Sequence, residues 1–352
     1  LMFYMALRYL HDAELTQKSL IIVPTTSLVE QLASDFADYS SQVSWDAETN
    51  IHKIYGGSKK QTDKPITITT WQALQNQKPA FFKQFDSVIV DEAHNAKGTV
   101  LQKIMNNLVY AQYRFGATGT LNGQQIHQFV LEGSFGPVIE STTTKDLIDQ
   151  NIISNIKVQA IQLNYNEQDK KHNRKNNKKY QDEIKYLFEH EKRNQFITKL
   201  AASRQNNTLI LFSQVEHGKL LYNQLQEQAP DKQIYFVYQK TTAEQREQIR
   251  KICEHNTNVI VVASYQTFST GINIKNLHHI ITAAPTKSKI RLLQSVGRLL
   301  RKHKSKQIAK FYDIADDLKI GSWTNHTLHH FTLRINMYAQ QQLNYKINNV
   351  QL

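Results

Sequence analysis

A single cysteine, Cys253, in a chain of 352 residues leaves no partner for an internal disulfide and excludes a Cys-rich zinc site. The adjacent pairs His278-His279 and His329-His330 lack the spacing of metal ligands, so they read as surface or packing histidines. No apolar run approaches the roughly 18 residues that a membrane span requires. The apolar opening Leu1–Leu7 is broken at Arg8 and His11, and the reading is a soluble, cytoplasmic protein. A further absence concerns phosphate chemistry: the loop G-x-x-x-x-G-K-[ST] occurs nowhere. In an α/β nucleotide-binding domain that loop joins the first strand to the first helix, whereas this chain opens at Leu1 on a helical period with no strand before it. The expectation is a fragment whose first domain is truncated at its N-terminus and which binds nucleotide poorly on its own. A nuclease-like cluster of carboxylates and lysine is also not evident.

What the chain has in excess is positive charge. Forty-three Lys and Arg against 30 Asp and Glu give a formal net charge of +13, which favours a polyanionic partner, with nucleic acid the first candidate. A hydrophobic content of 40% is that of an ordinary globular protein, and the length suits two domains and a tail.

The pattern along the chain is α/β. Strand-like runs at Leu20–Pro24, Ile66–Thr70, Ser87–Val90 and Tyr113–Ala117 alternate with helical segments, which predicts a parallel sheet. The rhythm returns at Thr208–Phe212, Gln233–Tyr238, Val259–Ala263, His279–Ala283 and Ala309–Ile314. The expected organisation is a first domain over 1–148, a linker and basic helical connection over 149–204, a second domain over 205–320 and a helical extension over 321–352. Within the connection, Asp169–Lys179 is basic and poor in apolar residues and reads as exposed. It is either a solvated charge run or a contact to a DNA backbone.

Two stretches carry the chemistry. Ser87-Val-Ile-Val-Asp91-Glu92-Ala93-His94 reads as a buried parallel strand that ends in two carboxylates. Asp91 is placed to hold Mg²⁺ on nucleotide phosphates, and Glu92 to orient the attacking water and meet the metal through water. His94 would link this point to the rest of the site. Gln294-Ser-Val-Gly297-Arg298-Leu-Leu-Arg301 reads as one helix whose Gln294, Gly297, Arg298 and Arg301 share a face. Arg298 and Arg301 then act as arginine fingers on a transferring phosphate, the alternative being an exposed basic helix.

Weaker signals surround these. Thr118, Gly119 and Thr120 follow a strand and offer small hydroxyls that could couple the Asp-Glu segment to the second domain. Pro24 and Thr25, and Thr70 and Trp71, lie at strand-to-helix junctions where nucleic-acid phosphates dock on backbone N–H groups, or where a hydroxyl simply caps the helix. Ser264, Thr270 and Gly271 belong to a strand-to-loop segment suited to phosphate contact: Ser264 and Thr270 are candidates for nucleic acid, and Gly271 for nucleotide.

In this order the motifs resemble the superfamily-two helicases and, within them, the UvsW family of phage recombination helicases. The likeness runs over nearly the whole chain and includes Ile21–Thr26, Phe268–Ile272, Lys275–His279, Lys287–Ile290 and Gly297–His303. It implies two RecA-like domains, ATP and Mg²⁺ as cofactors, DNA as partner and a monomeric motor in the host-cell cytoplasm. The implied activity is ATP-dependent remodelling of branched DNA, namely D-loops, R-loops, branch migration and fork regression, with RNA–DNA hybrids as further substrates. At Asn273 many relatives carry Asp. Two other readings stay open: a double-strand translocase of the restriction or chromatin type, and a nucleic-acid binding or annealing protein without hydrolysis.

Overall fold

The computed structural model describes the chain except residues 57–61, 95–97, 120–124, 140–141, 177–178 and 272–273, and the side chains of 125–127, 269–271, 289–291 and 294. Thr120, the side chain of Thr270 and the side chain of Gln294 therefore lie outside the described residues. The chain forms two compact units, Leu1–Ile139 and Glu140–Leu352. Among the described residues no helix is long and apolar enough to cross a membrane.

The first unit is built on a five-stranded sheet of β1 (Ser19–Val23), β2 (Ile51–Ile54), β3 (Ile66–Thr70), β4 (Ser87–Asp91) and β5 (Tyr113–Ala117), in the order β2-β3-β1-β4-β5. All its pairings are parallel. Central strands of such a sheet are covered on both faces, which is why their sequences are unbroken apolar runs. Leu20 and Ile22 of β1 pack with Val88 and Val90 of β4 on one face, and Ile21 and Val23 pack with Ile89 on the other.

The second unit holds a seven-stranded sheet of β6 (Asn155–Asn164), β7 (Thr208–Phe212), β8 (Gln233–Val237), β9 (Val259–Ser264), β10 (His279–Thr282), β11 (Ile308–Asp317) and β12 (Tyr345–Gln351). The order is β12-β6-β11-β10-β7-β9-β8, again with parallel pairings.

Two expectations about organisation are corrected by this topology. Residues 149–204 are not a separate linker, because β6 lies inside the second sheet, between β11 and β12, with Ile156, Val158, Ala160 and Leu163 buried. Residues 321–352 are not purely helical: the helix His326–Gln340 is followed by β12, which adds an edge strand to β6.

Three polar devices fix helices onto this sheet. Arg193, fully buried, donates to both carboxylate oxygens of Asp316 at 2.7 and 3.2 Å and to the carbonyl of Ala283, while the Tyr165 hydroxyl donates to Asp316. Arg334 donates to Asp313 at 2.8 and 3.0 Å, and the Tyr338 hydroxyl joins it. Buried Glu183 accepts from the backbone N–H groups of His326 and Thr327 and from the side chains of Asn325 and Thr327, capping the helix His326–Gln340 from a neighbouring helix. The two arginines are thereby paired with carboxylates, and Glu183 is held by four hydrogen bonds, the conditions under which such groups are tolerated in an interior.

Candidate nucleotide-hydrolysing site

Asp91 is the last residue of β4 and stands in register with Ala117 of β5. Ligand sites of open parallel sheets lie at this carboxyl edge. The Asp91 Oδ1 accepts the backbone N–H of Glu92 at 2.9 Å, and Glu92 itself adopts the left-handed conformation at φ 51°. For a residue other than glycine that conformation is uncommon and costs about 1–3 kcal/mol. Burial, reinforced by the neighbouring Glu92 carboxylate, pushes the Asp91 carboxyl above its usual range. A divalent cation at this edge would remove that cost, so the donor set suits Mg²⁺.

His94 ties this turn to the next strand. Its Nδ1 lies 3.1 Å from Glu92 Oε2 and 3.0 Å from Thr118 Oγ1, just beyond β5. Close approach of the two segments requires Gly116: a Cβ there would stand 2.9 Å from the Ala93 Cβ and 2.9 Å from the ring of Phe135. The sequence pointed to Thr118 as a partner for the Asp-Glu segment. It held no sign that Gly116 sets the spacing beyond the presence of a small residue inside a strand. Gly119, next in the chain, has open space around it.

The two strand-to-helix junctions of this unit are capped. Thr25 accepts Leu28 N–H at 3.4 Å at the head of the helix Thr26–Ser40, and Pro24 takes part through its carbonyl, which accepts from Gln72 at 3.4 Å. Thr70 accepts Ala73 N–H at 3.3 Å at the head of the short helix Trp71–Leu74, and Trp71 packs, partly buried, against the β1–β4 core.

In the second unit Ser264 ends β9 and is buried, its hydroxyl donating to Thr267 Oγ1 at 2.8 Å and accepting Thr267 N–H at 3.1 Å. Gly271 closes the helix Tyr265–Gly271. Phe268 of that helix lies under Arg298, whose guanidinium carbon is 5.2 Å from the ring centroid, a cation–π contact that sequence spacing did not reveal.

Gln294, Gly297 and Arg298 do share a helix, Lys289–Leu299, but Arg301 does not. The end of the helix is satisfied from outside: Leu299 O accepts from the Lys306 ammonium at 2.7 Å, and the next carbonyl, Leu300 O, accepts from Ser154 N–H at 2.8 Å. Lys306 also donates to the carbonyls of Lys275 and Leu277, and burial pulls its pKa down to about 8. Arg301 thus stands two residues past the helix, where burial lowers its pKa. The paired histidines at 278 and 279 are buried, and His279 Nε2 donates to Gln205 O at 2.8 Å.

Two parallel α/β units, one carrying Asp-Glu-Ala-His at the edge of its sheet and the other an arginine-bearing helix, define a superfamily-two helicase. Residues 1–123 match the family described as type III restriction enzyme, res subunit, and residues 191–303 match the helicase conserved C-terminal domain. The chain belongs to the family of the ATP-dependent DNA helicase UvsW: it is 35% identical to that protein of Enterobacteria phage T4, over 95% of this chain and 68% of the relative. A fragment of an HsdR subunit of a type I restriction enzyme from Vibrio vulnificus YJ016 superposes with a TM-score of 0.65 at 15% identity, covering 95% of this chain and 58% of that one. The type ISP restriction-modification enzyme LlaBIII, bound to DNA, gives 0.64 at 15% identity over 95% of this chain and 28% of that one. At such identity these two likenesses speak for the fold alone.

Proposed function

We propose that this chain is the motor part of an ATP- and Mg²⁺-dependent DNA helicase that remodels branched DNA: D-loops, R-loops, migrating junctions and regressing forks in phage recombination, repair and replication. The observation that carries the reading is the left-handed turn at Glu92, held between Asp91 and the His94–Thr118 contact at the edge of the first sheet. In this reading Asp91 holds the metal, Glu92 positions water, and His94 with Thr118 senses the state of that edge. Arg298 supplies positive charge to the phosphate being transferred, with Arg301 beside it on the turn that follows. Gln294 and Gly271 serve nucleotide contact, and Pro24, Thr25, Thr70, Trp71, Ser264 and Thr270 are assigned to contact with the DNA backbone. The phosphates also call for a Gly-Lys-Ser/Thr loop, which this sequence does not contain.

The test is steady-state ATP hydrolysis by the full-length gene product with and without forked DNA, D-loops and R-loops, with Glu92→Gln as control. Turnover stimulated by branched DNA and abolished in the variant supports the reading. Salt-sensitive DNA binding without turnover rejects it in favour of an annealing protein, and equal stimulation by linear duplex rejects the preference for branches.

A further inference from the structure

The helix Glu167–Asn176 contains no apolar side chain. A helix polar on every side gains nothing from core burial, so its presence on the second unit needs another cause. Part of the cause is a polar anchor. Asp169 accepts from the Tyr186 hydroxyl at 2.8 Å and pairs with His190 Nε2 at 3.3 Å, His172 stacks on Tyr186 with ring centroids 5.2 Å apart, and Asn173 is fully buried. At about 3.6 residues per turn, Asp169, His172 and Asn173 form one stripe.

The opposite stripe consists of Lys171, Arg174 and Lys175, all exposed. Among the described residues none of the three has a carboxylate partner, whereas Lys170 is engaged by Glu167 at 3.2 Å. Their place in the last turns suits the helix dipole. Their mutual spacing does not: like charges three and four residues apart oppose helix formation. A helix selected only for stability would intersperse acids on that stripe. Three unpaired cations instead stand within about 6 Å of helix axis, and duplex DNA carries one negative charge per about 1.7 Å of its own axis.

We propose that this helix is a second, sequence-independent contact for the DNA backbone, in which Lys171, Arg174 and Lys175 each meet phosphate, apart from the strand-to-helix junctions assigned above. The inference rests on the reading of the chain as a DNA motor. The arrangement is rigid where it must be, because the anchor is on one stripe and the phosphate-binding groups are on the other. The three groups are donors carrying full positive charge, which matches phosphate oxygens wherever they occur along a duplex and so needs no particular sequence.

The experiment is fluorescence anisotropy of a labelled mixed-sequence duplex with the 352-residue chain, titrated across salt. The triple variant Lys171→Gln/Arg174→Gln/Lys175→Gln should weaken binding at least about tenfold at low salt, and should lower the slope of log affinity on log salt by up to about 0.9 for each phosphate left unneutralised. The charge-keeping pair Lys171→Arg/Lys175→Arg should leave both unchanged, and the single Arg174→Gln should lower the slope by about one third of the triple effect. Unaltered affinity and slope in the triple variant overturn the proposal while leaving the motor reading to the ATPase assay. A wild-type chain that does not bind DNA overturns it outright. Should the triple variant lose its far-ultraviolet circular dichroism, the single variant decides, because one exposed substitution leaves the anchor intact.

Discussion

His94 Nδ1 stands 3.0 Å from Thr118 Oγ1, joining the turn after β4 to the segment that leaves β5. Neither side chain reaches a sheet hydrogen bond, so the pairing reports on the distance between two loops and not on the sheet itself. Thr118→Val keeps the shape and removes the hydroxyl. The expected outcome is a fall of about tenfold in DNA-stimulated ATP turnover, equivalent to about 1.4 kcal/mol, with turnover in the absence of DNA little changed. Equal loss with and without DNA would give Thr118 a place in the hydrolysis step instead of in coupling.

Glu92→Gln should leave nucleotide binding intact and abolish turnover, and Arg298→Ala should lower the rate by about a thousandfold or more if its guanidinium neutralises the transferring phosphate. Equilibrium binding of a labelled nucleotide, measured beside single-turnover hydrolysis, separates the two steps. Near-normal hydrolysis in either variant would remove that residue from its assigned place.

Gly116→Ala adds one methyl group where its Cβ would lie 2.9 Å from Ala93 Cβ. Ala93 belongs to the Asp-Glu-Ala-His turn and has no flexible end to move aside. A destabilisation of about 1–3 kcal/mol is expected from overpacking, read as a lower urea midpoint. The phenyl ring of Phe135 can rotate, so Phe135→Leu in the same chain should recover only part of it.

Asp316→Ala leaves the Arg193 guanidinium buried without its carboxylate, and a cost of about 3–5 kcal/mol is expected. Denaturant unfolding of the single and the double variant Arg193→Met/Asp316→Ala distinguishes an unpaired charge from reduced packing. The double variant should be the more stable of the two.

Acid should loosen the second unit by forcing protons onto buried imidazoles. Burial lowers the pKa of His279 to about 4 and that of His217 well below its ordinary value. In the unfolded chain an imidazole takes up its proton near about 6.5. Between the two values the unfolded state holds more protons, so stability is present above that window and is lost as pH falls through it. Each such histidine contributes a slope of up to about 1.4 kcal/mol per pH unit. Urea midpoints at pH 7, 6 and 5 check this, and His279→Gln should flatten the profile.

The sequence made the central strands legible for a physical reason: β1, β4, β7 and β9 are covered on both faces and so are written as continuous apolar runs. Edge strands lack that constraint. Tyr345–Gln351 pairs on one side only and carries Lys346, Asn348 and Asn349, which no apolar pattern betrays. Asn155–Asn164 did carry a usable alternation at Ile156, Val158 and Ala160, but the basic run that follows drew the segment into a linker. The placement of Arg301 failed for a different reason. Spacing describes a helix and cannot see that a lysine seven residues beyond its last residue will cap its final carbonyl.

The position of β6 has a mechanical consequence. It is the first strand after the chain leaves the first unit, and its ladders run alongside Ile308–Asp317 on one flank and Tyr345–Gln351 on the other. Tension arriving along the backbone enters β6 at Asn155, in line with both ladders. Force applied in that direction must shear every rung together, whereas a strand peeled sideways would give way one rung at a time. β6 is therefore gripped on both flanks, and load carried along its axis is met as displacement of the whole strand and not as fraying of the sheet.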